Sequence, residues 1–352
     1  MNPSIELAGI TVGVDYVPQI FVEIGINHGG ELEVALNMAQ AAISAGAKFI
    51  KHQTHIPDAE MSKEAETVVP GNADISIYEV IKRNSLSLDE EKVLADYVRS
   101  HGAVFFSTPF SREAVEHLES IEVPFYKIGS GECNNYPFVD FVASTGKPVV
   151  LSTGMNDVTS VTRATEILQN RGVPFALLHT TNLYPTPHSL LRLGGLTELM
   201  ENFSVPIGLS DHSTSNAACL GAVALGASLL ERHFVDTKSR VGPDVSCSMD
   251  PNELMQLLDW SSQLFAARGG KKFLSDEEQI TANFAFASVS ATRDIEPGEI
   301  LTRENCFPIR PGNGEFLAQD FEGILGRRVI APIEKRTQIT SDRLEQEKIG
   351  ND

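Results

Sequence analysis

Eight segments between residues 20 and 234 begin with an apolar run and end in polar or ionisable residues: IFVEIGINH, KFIKHQTH, VFFSTP, FYKIGSGE, VVLSTG, ALLHTTNLYP, IGLSDH and LLERHF. A continuous apolar start suits a strand buried on both faces. Toward their carboxyl ends these segments carry Glu23, Lys51, Thr108, Lys127, Ser152, Asn182, Ser210 and His233. Between them, apolar residues recur at helical spacing. Leu32, Ala35, Leu36, Ala39 and Ile43 precede a Gly46 stop, Asp157 and Thr159 open a helix that runs to Gly172, and an alanine-rich helix lies between Ser213 and Gly226. Alternating strands and helices predict βαβ units and a parallel sheet. Polar residues at one end of eight core strands converge only if the strands surround a common axis. The expected fold is therefore α/β, a (β/α)8 TIM barrel, with the active site at the carboxyl rim.

The spacing is broken once, between the second and third strands, where residues 54–100 hold MSKEAETVVPGNADISIYEVI. An insertion that leaves from the rim is expected to help cover the site. Near residue 268 the periodicity ends in the polar stretch ARGGKKFLSDEEQITANF, which suits a linker. Beyond it, short β-type runs are separated by Pro-Gly and Gly-Asn-Gly turns. The expected division is a barrel over residues 1–267, a linker over 268–285 and a small β-rich domain over 286–352.

Composition narrows the function. The chain has 352 residues, 42% of them hydrophobic, and no apolar run approaches the ~20 residues that span a bilayer. Nor does the amino-terminal segment pair a basic start with an apolar stretch, so the cytoplasm is the expected location. The four cysteines, Cys133, Cys219, Cys247 and Cys306, form no CxxC pair and read as reduced thiols. A net charge of −19 argues against a nucleic-acid partner. An anionic substrate would have to be held by local lysines against that field.

Such lysines are present. Lys51 and Lys127 sit at strand ends, where a buried cation is costly unless it meets an anion. With Thr108, Ser130, Ser152, Asn182 and Ser210 they make a donor-rich ring suited to phosphate and carboxylate. A lysine so placed also suits a Schiff-base nucleophile. His212 and His233 end neighbouring strands, close enough to share one metal ion in an open site. Glu23 and Glu132 supply carboxylates for proton transfer or for sugar hydroxyls.

The ordered segments EIGINHGG, KHQTH, PGNADISIYE, STPFSREA, YKIGSGECNNYP, LSTGM, TTNLYPTP, GLSDH, GAVALGAS, ERHF and GPDVSCSMDP resemble those of bacterial N-acetylneuraminate (sialic acid) synthases. The tail with PIRPGNGEF is similar to their antifreeze-like (SAF, β-clip) domain. The resemblance runs from Val22 to Leu344 and extends to legionaminic and pseudaminic acid synthases. It implies condensation of phosphoenolpyruvate with N-acetylmannosamine and water, with loss of phosphate. A divalent metal, manganese in most cases with magnesium or cobalt as alternatives, is implied on His212 and His233. Lys51, Thr108, Lys127, Ser130, Ser152, Asn182 and Ser210 match the phosphoenolpyruvate pocket. Gln53, Asn72, Tyr184, Asp244, Glu23 and Glu132 match positions around the sugar and the reacting centre. Arg310 resembles an arginine that the small domain of one subunit places over its partner's barrel, which implies a domain-swapped homodimer. The alternatives are a legionaminic acid synthase acting on 2,4-diacetamido-2,4,6-trideoxymannose, then a pseudaminic acid synthase, and, in a different class, a non-catalytic carbohydrate-binding barrel.

Overall fold

The inward positions of the barrel strands explain both its core and its mouth. The computed structural model describes residues 2–70 and 74–346. It opens with β1 (Ser4–Leu7) and β2 (Ile10–Gly13), an antiparallel hairpin that no signal singles out in the sequence. Eight parallel strands come next: β3 (Gln19–Gly25), β4 (Phe49–Thr54), β5 (Val104–Pro109), β6 (Tyr126–Ile128), β7 (Val149–Ser152), β8 (Phe175–Thr180), β9 (Ile207–Asp211) and β10 (Leu229–His233). They close into a barrel in the order β10-β3-β4-β5-β6-β7-β8-β9. Phe21, Phe49, Phe106, Phe125, Val150, Leu178 and Leu229 form a fully buried apolar cluster inside the barrel, joined by Leu7 and Val12 of the hairpin. Successive strand residues point to opposite faces. Two residues further along each strand, the same inner face therefore carries Glu23, Lys51, Thr108, Lys127, Ser152, Thr180 and Glu231. The apolar layer is the floor on which the polar layer stands. A side chain at Gly208 would collide with Leu229 O at 2.3 Å, so the β9–β10 contact requires glycine.

The outer face alternates the other way. Val22, Ile24, Ile50, Phe105, Ile128, Leu151, Leu177, Leu209 and Leu230 pack against the helices in one large core. Helices begin where side chains satisfy their first amides. Ser87 and Glu90 form a capping box on the helix Leu88–Ser100, and Asp250 with Glu253 does the same for Pro251–Ala267. Asp157 caps Val158–Asn170, and Gly226, at φ 110°, ends Ala217–Leu225.

A second polar cluster lies on this outer face. Gly30 N–H donates to His28 Nδ1 (3.1 Å), so His28 Nε2–H points at His52 Nε2 (3.1 Å). His52 Nδ1–H then donates to Glu91 Oε1 (2.6 Å), which also accepts from Thr54 (2.7 Å). His117 Nε2 lies 3.3 Å from Glu91 Oε2. The chain ties the loop after β3, strand β4 and two barrel helices together. Burial works against the Glu91 carboxylate's charge, but His52, His117 and Thr54 outweigh it and hold its pKa well below the usual range.

The stretch between β4 and β5 is more ordered than a loop. It holds the helices Ile77–Asn84 and Leu88–Ser100, and the second is the barrel helix that follows β4. The two compact units are Met1–Gly269 and Gly270–Asp352. In the second, β11 (Ser288–Ala291) pairs antiparallel with β12 (Cys306–Ile309). Val289, Ala291, Ile295, Leu301, Cys306, Phe321, Ile324, Val329, Ile333, Ile339 and Leu344 make its separate core. The stretch expected as a linker carries the helix Gln279–Ala285. All four cysteines are free and buried.

Candidate active site

At the carboxyl end of the barrel the strands enclose a cavity of about 400 Å³. Its lining includes Lys51, Gln53, Thr108, Lys127, Ser130, Ser152, Asn182, Tyr184, Ser210, His212, His233 and Asp244, all expected from the sequence. Pro70, Ile77, Val80 and Ile81 of the insertion supply one apolar wall, as its departure from the rim implied.

The two lysines differ. Lys51 contacts Glu23 and donates to Thr108 Oγ1 at 3.2 Å. Burial opposes its charge, but Glu23 and Glu231 outweigh that and raise its pKa. Lys127 donates to Ser152 Oγ at 2.7 Å, and burial pulls its pKa down to about 8. Glu23 stands next to Lys51 in the β3–β4 register and accepts from the Gln53 amide at 2.8 Å. It lies just behind the cavity lining, buried under Lys51 and Gln53.

Several hydroxyls are left aimed at a ligand. Ser130 Oγ accepts the Gly154 N–H at 3.0 Å, so its own proton is free. That contact needs glycine, since a Cβ at residue 154 would lie 1.8 Å from Asn182 Oδ1. Asn182 Oδ1 itself is buried without a partner.

Across the cavity the rings of His212 and His233 stand 5.5 Å apart. His212 Nδ1–H donates to Thr181 O at 2.9 Å, which leaves Nε2 with a free lone pair. His233 Nδ1 is buried with no hydrogen-bond partner, 3.6 Å from Asp244 Oδ2. Burial lowers both imidazoles to about 4, so both are neutral donors near pH 7. Burial raises Asp244 to about 6. Tyr184 stacks on His212 with ring centroids 4.1 Å apart. Among the described residues no group of three or more His, Cys, Asp or Glu side chains is placed to hold a metal. The two imidazoles are thus an open donor pair that fits a cation whose other positions are filled by water or substrate.

Three expected residues stand apart. Glu132, expected beside the reacting centre, faces a neighbouring cleft with Arg112, Asn135 and Arg171. The turn Ser130–Glu132 breaks the strand's alternation, and Asn135 binds the carboxylate at 2.6 Å. Asn72 lies outside the described residues. Arg310 is exposed in the second unit, just after β12. Glu231 is not among the residues expected from the sequence, yet it is buried on the cavity wall 3.7 Å from Lys127 Nζ and 3.9 Å from Lys51 Nζ. Counting two residues back from His233 on β10 would have found it.

A NeuB family model matches residues 38–273, and a SAF domain model matches residues 286–345. The chain belongs to the NeuB family. It is 34% identical to the N,N'-diacetyllegionaminic acid synthase of Campylobacter jejuni, over 88% of this chain and 94% of that one. It is 31% identical to the human N-acetylneuraminate-9-phosphate synthase, over 97% of each chain. The crystal structure of the N-acetylneuraminic acid (sialic acid) synthetase of Leptospira borgpetersenii in complex with citrate superposes with a TM-score of 0.73 at 29% identity. That match covers 80% of this NeuB-family chain and 95% of the Leptospira chain.

Proposed function

We propose that this NeuB-family chain condenses phosphoenolpyruvate with N-acetylmannosamine and water, giving N-acetylneuraminate and phosphate. One juxtaposition carries the reading: a buried lysine pair with free hydroxyls lines the same cavity as two neutral imidazoles. Relatives named as synthases of legionaminic, pseudaminic and phosphorylated neuraminic acids support the reaction class.

In this scheme Lys51, Lys127, Thr108, Ser130 and Ser152 hold the phosphate and carboxylate of phosphoenolpyruvate and orient its methylene carbon. Asn182 Oδ1 remains to accept a hydrogen bond from water or substrate. A divalent metal, manganese in the favoured case, held by His212 and His233, would polarise the aldehyde oxygen of the open-chain sugar. Gln53, Tyr184 and Asp244 hold the sugar against the apolar wall. The methylene carbon bonds to the aldehyde carbon, and water adds to the cationic centre left behind. Glu23 takes the proton released by that water, which balances the one gained by the former aldehyde oxygen. Collapse of the tetrahedral intermediate breaks the carbon–oxygen bond and releases phosphate.

The sugar is uncharged in this reading. Among the lining residues Lys51 and Lys127 are the lysine or arginine cations, and both serve phosphoenolpyruvate. A second reading, the legionaminic-type substrate 2,4-diacetamido-2,4,6-trideoxymannose, is favoured by Ile26, Ile77, Val80 and Ile81, which suit its extra methyl groups. We place Arg310 over the partner's barrel in a domain-swapped homodimer. Phe273, Ile280, Phe284 and Phe286, all more than half exposed in the second unit, support a surface that another copy covers.

The test is phosphate release from phosphoenolpyruvate with manganese and each of three aldoses: N-acetylmannosamine, its 6-phosphate and the diacetamido sugar. The largest kcat/KM is expected with N-acetylmannosamine, and a chelator should abolish turnover. Release with none of them overturns the proposal.

A further inference from the structure

The pairing of charges at the cavity wall is uneven. Lys51 already contacts Glu23. Glu231 Oε1 lies 3.9 Å from Lys51 Nζ and 3.7 Å from Lys127 Nζ, and accepts the Ser210 hydroxyl at 3.0 Å. Its other oxygen, Oε2, is buried with no hydrogen-bond partner. A carboxylate kept only for structure is expected to have its hydrogen bonds met inside the protein, as Glu91 Oε1 has with His52 and Thr54. Glu231 instead stands near the place an oxygen of an incoming phosphate would take to bridge the lysines.

We propose that Glu231 is an internal counter-anion that keeps the lysine pair charged and in place in the empty cavity and weakens the cavity's hold on phosphate. The two lysines are cancelled in charge by Glu23 and Glu231. A phosphate therefore enters against a fixed like charge, and that repulsion returns as a push when the product leaves. Without the carboxylate, the cavity would carry an unpaired buried cation and would hold phosphate tightly. The Ser210 hydroxyl, already donated to Glu231, tethers the counter-anion and is not available to donate to the ligand. This inference rests on the reading of the cavity as a phosphoenolpyruvate site.

The experiment is calorimetric titration of inorganic phosphate into the full chain at pH 7 without metal, for the wild type, Glu231→Gln and Glu231→Asp. Glu231→Gln is expected to bind phosphate about tenfold more tightly than the wild type, with Glu231→Asp within about threefold of it. A merely structural role would lower affinity, so a gain is the decisive sign. Melting curves at rising phosphate keep the test open if Glu231→Gln is too unstable for calorimetry. Phosphate should then raise its midpoint by more than the wild type's. Equal or weaker binding, or an equal melting shift, in a wild type that turns over phosphoenolpyruvate overturns this inference alone. A wild type that neither binds phosphate nor turns over phosphoenolpyruvate overturns the parent reading and this inference with it.

Discussion

Strand β4 has two buried polar faces, and they are built differently. Outward, His52 and Thr54 both hydrogen-bond Glu91 Oε1, and His117 Nε2 lies 3.3 Å from Oε2. Inward, Lys51 and Gln53 reach a cavity where Glu231 Oε2, Asn182 Oδ1 and His233 Nδ1 are buried without hydrogen-bond partners. Buried polar atoms are costly when left unpaired. The outer cluster ties His28, His52, Thr54 and Glu91 together through hydrogen bonds and clamps the strand. Of these inner atoms, Asn182 Oδ1 and His233 Nδ1 carry unmet hydrogen-bonding capacity that a substrate would fill.

The largest expected effect that sharpens this contrast is on the inner face. Lys127→Met should lower kcat/KM for phosphoenolpyruvate by about a thousandfold with little change in melting temperature, because it removes a charge aimed at the ligand. Steady-state kinetics and a melting curve decide it; equal loss of stability would break the contrast. On the outer face, Glu91→Ala should cost about 3–5 kcal/mol in urea unfolding, since it strands the His52 and Thr54 donors. Its effect on kcat/KM should stay below about tenfold in the protein that remains folded.

The faces should also separate by pH. Lys127 loses its proton near its lowered pKa of about 8. kcat/KM for phosphoenolpyruvate should therefore fall above about pH 8, a limb that Lys127→Met lacks. His28 is the mirror case. Burial and His52 lower its pKa from 6.5 to about 3, so the unfolded chain binds a proton the folded one refuses. Stability should then fall as pH drops from 6.5 toward 3, by up to ~1.4 kcal/mol per unit from this group. Urea midpoints at pH 7.5 and 5 measure it, and His28→Asn should flatten the slope. The smallest effect belongs to Glu132, which faces the neighbouring cleft. Glu132→Gln should change kcat/KM by less than about threefold, against about a hundredfold for Glu23→Gln.

How much of the molecule was legible in the chain depends on the reach of each signal. Strand alternation is local, so Phe21 then Glu23, or Phe49 then Lys51, can be read from two-residue spacing, and eight such strands imply the barrel and most of the cavity lining. The same spacing contains Glu231, two residues before His233. Glu132 escapes it because β6 ends at Ile128 and a 3-10 turn re-aims the residues beyond that strand. The hairpin Ser4–Gly13 is too short to carry a pattern, although Leu7 and Val12 complete the barrel floor. The Glu91 cluster joins positions 28, 52, 91 and 117, a contact set that no local period encodes.

The central claim is that the inner cavity holds phosphoenolpyruvate so that water attacks carbon and the carbon–oxygen bond breaks. Phosphoenolpyruvate labelled with 18O at the bridging oxygen, turned over with N-acetylmannosamine and manganese, tests it most directly by mass spectrometry of both products. The account predicts the label in the released phosphate; label retained in the sugar acid would contradict it.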